Sequence, residues 1–322
     1  IGRGDGHGYL DAMEREGGVV GRLIGHGVLD KRIPPLWESR PEEYHLAGEV
    51  LSLATGLIVH SRYVEARARA AGFEGPVWRV PHPAWPVPEL APADVEGAPL
   101  FGAFGNLNAS KRLPQLLEAF ARVRRAHPGA RLLLAGATSP GFDLERRLQR
   151  FGLDGEGLVR EGYVDEARLW ALMAACDAVV SLRAPTMGET SGVAVRALSL
   201  GKPLVVSDVG WFSELPGTVA LKVPPDAAEA DTLAAALSLL AGDDAVRRAM
   251  GEAALAHAGR EHGVDRVAEL YASALEQAAG GEAVREAVLA EIAVAAAAVG
   301  IEVSSDEAGE LARRLAEVRI AE

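Results

Sequence analysis

The chain has 322 residues, 49% of them hydrophobic and 24% charged, with a formal net charge of -12. That supplies apolar material for two domains or one large one, and the acidic balance excludes a broad nucleic-acid surface, which relies on Lys/Arg patches. The single cysteine, Cys176, excludes an intramolecular disulfide and a Cys-based metal site, and no apolar run reaches the roughly 20 residues that span a bilayer.

In chain order, residues 1–54 hold few strand signals. "GYLDAMEREGGVVGRLIGHGVLDKRI" reads as short helices interrupted by glycines, Pro34-Pro35 breaks the pattern, and "PEEYHLAGEVLSLA" predicts a helix with Pro41 in its first turn. "GLIVHS" predicts a strand, "RYVEARARAAG" a helix closed by Gly72, and "PVWRVPHP" a second strand. Strand, helix, strand is the signature of a parallel sheet. Prolines 83, 86, 88 and 92 then make a stiff extended linker.

From Leu100 the alternation is regular. Strands are predicted at "LFGAFGN", "ARLLLAGA", "LVREGYV", "AVVSLR", "PLVVSD" and "VALKVP". Helices fall between them at "LPQLLEAFARVRRAHPG", "DLERRLQRFG", "DEARLWALMAACD" and "SGVAVRALSLG", with a turn or short helix at "GWFSELP". Apolar strands such as "LLLA" suit a sheet covered on both faces. The remainder to Glu322 reads as helices, the last two rich in alanine. Residues 100–262 therefore predict one complete doubly wound α/β domain, and the first hundred only the end of another.

In such sheets ligands sit beyond the carboxyl ends of the strands. Three loops there are unusual. "GNLNASKR" brings Gly105, which permits close approach, and Lys111, a point charge suited to phosphate. "REGYVDE" brings Tyr163 and Val164 to a strand end, where a base could stack. "TMGETSG" puts Glu189 just outside a helix start formed by Thr190, Ser191 and Gly192, whose N–H groups and dipole suit an anion. The bland reading of that last stretch is helix capping by Thr190 or Ser191. No G-x-G-x-x-G follows a strand, which argues against a dehydrogenase. His60 and His82 sit at strand ends and read as structural.

The order from Leu100 to Pro224 resembles the nucleotide-binding half of a GT-B fold glycosyltransferase of the large retaining group called family 4. "FGNLNASKR" is similar to the family's Gly-Arg-x-x-x-x-Lys-Gly loop, with Lys111 at the lysine. "GETSGVAVRALSLGKPLVVSDVGWFSEL" is similar to its acidic segment, with Glu189 as the first acid and Glu214 as the trailing one. Two positions depart: Asn106 stands where the family often has a phosphate-binding arginine, and Arg196 where a ribose-binding glutamate is expected.

The resemblance implies transfer of a sugar from a nucleoside-diphosphate sugar to an acceptor, with retention, without a metal and with no cofactor beyond the donor. It implies Lys111 and Glu189 as catalytic residues. Donor and phosphate contacts would come from Gly105, Asn106, Arg112, Arg183, Thr190, Ser191 and Gly192. Nucleobase or ribose contacts would come from Tyr163, Val164, Arg196 and Glu214. Residues 1–97 are expected to be the C-terminal part of an acceptor-side Rossmann-like domain, and 98–262 the donor-binding Rossmann-like domain. Residues 263–280 would be a helix crossing back, and 281–322 a helical extension. No signal peptide pattern opens the chain, so a cytoplasmic location is expected. Two strands cannot make a stable sheet alone, so the chain is expected to be a fragment, or its earlier part a separate chain. The rival readings are a nucleotide-sugar binding module without transfer activity and a GT-B-like epimerase.

Overall fold

The computed structural model describes residues 4–34, 36, 43–95, 97–153, 155, 157–280, 282–301 and 305–317. Pro35 and Pro41, read above as a break and a helix start, lie outside these residues, as do the last residues of the segment read as helical to Glu322.

The chain opens with α1 (Gly6–Leu29), which is not one rod. Gly18 takes φ 59° and ψ -153°, and the helix turns back on itself there. Tyr9, Met13, Val28 and Leu36 form a small core between the two arms. Gly25 lets them meet, since a Cβ there would lie 2.9 Å from Leu10 Cδ2. The next helix, α2, spans only Gly48–Leu53, shorter than the predicted segment. The amides of Leu46, just before it, and of Gly48, its first residue, are taken by Glu16 of α1, at 2.9 Å each. Then follow β1 (Leu57–Val59), α3 (Arg62–Ala70) and β2 (Val77–Arg79). The two strands pair in parallel, with Ile58 opposite Trp78. Ser61 caps α3 by accepting from the Val64 amide at 3.1 Å.

A second, larger parallel sheet holds β3 (Leu100–Phe104), β4 (Arg131–Ala135), β5 (Leu158–Glu161), β6 (Ala178–Ser181), β7 (Leu204–Ser207) and β8 (Ala220–Val223). Their order is β5-β4-β3-β6-β7-β8, the doubly wound order in which the chain works outward from a central strand in both directions. The helices between and after them are α4 (Leu113–Ala126), α5 (Leu144–Phe151), α6 (Glu166–Ala175), α7 (Gly192–Ser199), α8 (Glu229–Gly242) and α9 (Asp244–His262).

Period-two alternation sends successive strand side chains to opposite faces. Phe101, Leu132, Leu134, Val180 and Val205 pack under Leu117 and Phe120 of α4, Leu148 of α5 and Leu237 of α8. Leu100, Phe104, Leu133, Val179, Leu204 and Val206 pack under Met173 of α6, Leu198 of α7 and Ala254 of α9. This is why the strands read as unbroken apolar runs. Asp143, Asp165 and Asp243 cap α5, α6 and α9 through side-chain oxygens. Three further helices follow among the described residues, α10 (Val264–Gly280), α11 (Glu282–Ala298) and α12 (Asp306–Glu317). Among the described residues no helix is long and apolar enough to cross a membrane.

The proline-rich stretch after β2 carries no regular element. It is anchored where the chain re-enters it: the Ala84 amide donates to His262 O at 2.7 Å, and His262 Nδ1 bonds His82 O at 2.8 Å. His60 Nδ1 likewise bonds Val80 O at 2.7 Å. The His262 and His60 rings thus each hold a backbone carbonyl of this stretch.

Candidate functional site

The order of the large sheet reverses between β3 and β6, so the loops leaving these two strands diverge and leave a crevice. The first loop is Gly105–Arg112 and the second Leu182–Ser191. Beyond β3, Asn108 organises a 3-10 turn over Ala109–Lys111. Its Oδ1 accepts from the Lys111 amide at 3.2 Å and from Ser110 Oγ at 2.8 Å. The turn swings the Lys111 side chain back over the strand end, where Nζ donates to Phe104 O at 3.4 Å. Gly105 takes φ 93°, a backbone conformation glycine adopts freely, and Lys111 Nζ lies 3.6 Å from where its Cβ would stand.

Beyond β6, the Arg183 amide donates to Ser207 Oγ at 2.9 Å, and its guanidinium reaches across to Ser110 Oγ at 3.2 Å. One arginine thus ties the two loops together. Its Nε pairs with Glu189 at 2.8 Å. The other Glu189 oxygen accepts from the Met187 amide at 2.8 Å and from Thr186 Oγ1 at 3.3 Å. Gly188, at φ 91°, makes the tight turn between them. Ser191 is the N-cap of α7, accepting from the Ala194 amide at 3.2 Å, and the helix begins at Gly192. Thr190 Oγ1 is buried without a hydrogen-bond partner among protein groups.

The crevice therefore gathers Lys111, Arg183, Glu189, Thr190, Ser191 and Gly192. Burial, then repulsion from Arg183, pushes the Lys111 amine down to about 8, against the opposing pull of Glu189. An amine so placed gains strongly from an arriving anion, which offsets both causes.

Other sequence-predicted contacts are placed differently. Arg112 is held by Glu229 of α8 rather than turned to the crevice: its Nε donates to the two carboxylate oxygens at 3.0 and 2.9 Å. The reason is burial, since the Glu229 side chain is 2% exposed and needs a cation. Glu214 caps α3, accepting from the Arg62 and Tyr63 amides at 3.1 and 2.8 Å, because those helix-start donors need an acceptor. Arg196 lies over the Trp170 ring at 5.6 Å and donates to Glu166 at 3.1 Å. Tyr163 is exposed and Val164 half-buried in the loop that follows β5, while Asn106 is exposed at the loop tip. Among the described residues no group of three or more His, Cys, Asp or Glu is placed to hold a metal.

Sequence reasoning missed Asn108, Ser110 and Thr186, which position the charged groups. Asn108 was the readable one, as an N-cap residue type just before a turn. The partner of Arg112 lies 117 residues away and left no local signal.

Comparison with known proteins agrees with this architecture. Residues 98–243 match the model of the family described as Glycosyl transferases group 1. A curated relative, the D-inositol 3-phosphate glycosyltransferase of Segniliparus rotundus, is 31% identical over 172 residues. That match covers 48% of this chain and 35% of the relative, so the chain spans about a third of the relative's length. Among solved structures, sucrose-phosphate synthase from Thermosynechococcus elongatus superposes with a TM-score of 0.63 at 23% identity, covering 78% of this chain and 65% of that one. Anabaena HepE in complex with UDP gives 0.64 at 19% identity, covering 80% and 76%. The six-stranded sheet with its paired loops at the β3/β6 crevice thus has the GT-B fold of these structures, and residues 98–243 are similar to the Glycosyl transferases group 1 family.

Proposed function

We propose that this chain binds a nucleoside-diphosphate sugar in the β3/β6 crevice and takes part in transferring the sugar to an acceptor, with retention and without a metal. The observation that carries the reading is the convergence of Lys111, Arg183 and the Ser191-capped start of α7 on one crevice. Two cations and a helix N-terminus suit a diphosphate, and they are strongest where negative charge develops on the leaving group. Glu189 beside them is the hydroxyl-binding group that would orient the sugar. The UDP held by HepE in its complex fits a uridine donor here. Residues 98–262 would form the donor-binding unit and residues 1–97 part of the acceptor side. A mostly apolar pocket of about 320 Å³ between them, lined by Leu57, Val59, Tyr63, Val64, Met187 and Gly188, opens beside the Glu189 loop and would receive the acceptor.

The full chain should be titrated by calorimetry with a panel of nucleoside diphosphates and their sugars, then assayed for sugar transfer and donor hydrolysis with and without a chelator. Binding with transfer supports the reading. Binding without transfer or hydrolysis supports a binding module, and epimerised donor an epimerase. Dissociation constants weaker than about 1 mM for every nucleotide would overturn it.

The Lys111 amine also sets a pH dependence. Its proton is held below about pH 8 and lost above, and the diphosphate needs the charged form. Affinity is therefore flat at lower pH and falls above about 8, by up to roughly tenfold per unit until the complex itself loses the proton. Calorimetry across this range checks it, with Lys111→Arg, whose charge persists, flattening the profile. A wild-type profile unchanged well above pH 8 would contradict the assignment.

A further inference from the structure

Arg112 stands where the Lys111 loop meets α4, at φ 54° and ψ 30°. Glycine takes that left-handed backbone freely, and a residue with a Cβ takes it at a penalty. The position is strategic: the Arg112 amide closes the 3-10 turn on Ala109 O at 2.9 Å, and its carbonyl accepts the Leu116 amide of α4 at 3.0 Å. Whatever holds Arg112 holds the adjacent Lys111.

What holds it is Glu229, the first residue of α8. Arg112 Nε donates to both carboxylate oxygens, and Nη2 to the same Oε2. The Glu229 side chain is 2% exposed and that of Arg112 23%. A buried ion pair adds little net stability compared with well-packed apolar residues, whereas removing one partner strands a charge. Its value lies in fixing one arrangement of the groups that make it. Helix α8 packs along α4 under the large sheet, with Leu233, Leu237 and Leu240 fully buried, so the carboxylate is presented from a rigid support.

We propose that Glu229 is a positioning residue for the diphosphate site, clamping Arg112 in its left-handed conformation so that the loop holds Lys111 over the end of β3. The inference rests on the donor reading above, and it assigns Arg112 to the clamp and not to the phosphate. Glu229 never touches the ligand; it acts through Arg112.

The test uses the full chain, with UDP, GDP and ADP as probes. Glu229→Gln should weaken the best-bound of these roughly ten- to a hundredfold, the scale of a misplaced binding group. The double variant Arg112→Gly/Glu229→Leu should restore affinity to within about threefold, because glycine accepts the left-handed backbone and leucine fills the buried site. Leu240→Ala, an equally buried change on the same helix, should lower the melting temperature and leave affinity unchanged. A second readout needs no nucleotide: the chain has four lysines, Lys31, Lys111, Lys202 and Lys222, and NMR of the 13C-methylated amines follows each titration. The Lys111 midpoint, at about 8 in the clamped loop, should rise in Glu229→Gln as water enters, and return in the double variant. Unchanged affinity and midpoint in Glu229→Gln, or a double variant as impaired as the single one, would overturn the proposal. If the wild type binds none of the three diphosphates, the donor reading fails, and the Lys111 midpoint alone decides the clamp.

Discussion

Lys111→Ala weakens the free nucleoside diphosphate about 10- to 100-fold and slows transfer about 10²- to 10³-fold, whereas Glu189→Gln slows transfer without weakening the diphosphate. The first effect follows from a charge-assisted contact worth about 1.5–3 kcal/mol. The larger kinetic effect follows because charge on the diphosphate grows as the sugar leaves, so the amine contributes most in the transition state. Its burial sharpens this, since surrounding protein screens the charge less than water does. Glu189 differs in sign. It is an anion paired with Arg183 at 2.8 Å, so neutralising it releases the arginine and leaves anion affinity equal or stronger. What is lost is the orientation of the sugar. Calorimetry with the diphosphate alone, set beside initial rates with the sugar nucleotide, separates the two variants. Unchanged diphosphate affinity in Lys111→Ala removes the phosphate assignment, and weakened affinity in Glu189→Gln removes the sugar-side one.

Gly136→Ala destabilises the chain by about 2–5 kcal/mol and weakens donor binding with it. Gly136 follows β4 at φ 148°, and a Cβ would lie 2.6 Å from the Gly105 carbonyl carbon. The backbone conformation costs about 1–3 kcal/mol for alanine, and the crowding a similar amount. The displaced neighbour is Gly105, the residue over which Lys111 lies, so the strain passes directly to the crevice. Urea denaturation measures the first effect and diphosphate calorimetry the second. A midpoint equal to the wild type would show that the two strand ends part at no cost.

The large sheet was legible because each of its strands is buried on both faces and each helix between them has a polar or charged stop. "LFGAF", "RLLLA" and "LVVS" could not sit anywhere but inside, and Asp143, Asp165 and Ser191 marked helix starts that the structure places at those residues. Lys111, Glu189, Ser191 and Gly192 were legible as a group because strand ends in such a sheet converge. The N-terminal segment was less so: glycines at 17, 18, 21 and 25 hid a helix that doubles back, since close packing of its own two arms leaves no hydrophobic period to read. The predicted roles of Arg112 and Glu214 parted from their observed contacts for one reason. Each is claimed by a group distant in sequence, Glu229 and the amides of Arg62 and Tyr63, and no local pattern announces a partner more than a hundred residues away.

The Arg183–Glu189 pair has a bearing on selectivity. The anion place at Arg183 is taken by the protein's own carboxylate. A lone small anion must evict an equal and tethered competitor, and gains little by doing so. A molecule that offers negative charge to Arg183 and, a few ångströms along the same scaffold, hydroxyls to Glu189 satisfies both ends of the broken pair at once. On the donor reading proposed above, the internal pair is a two-key lock, disfavouring a lone phosphate and opening to a ligand that carries acid and sugar together.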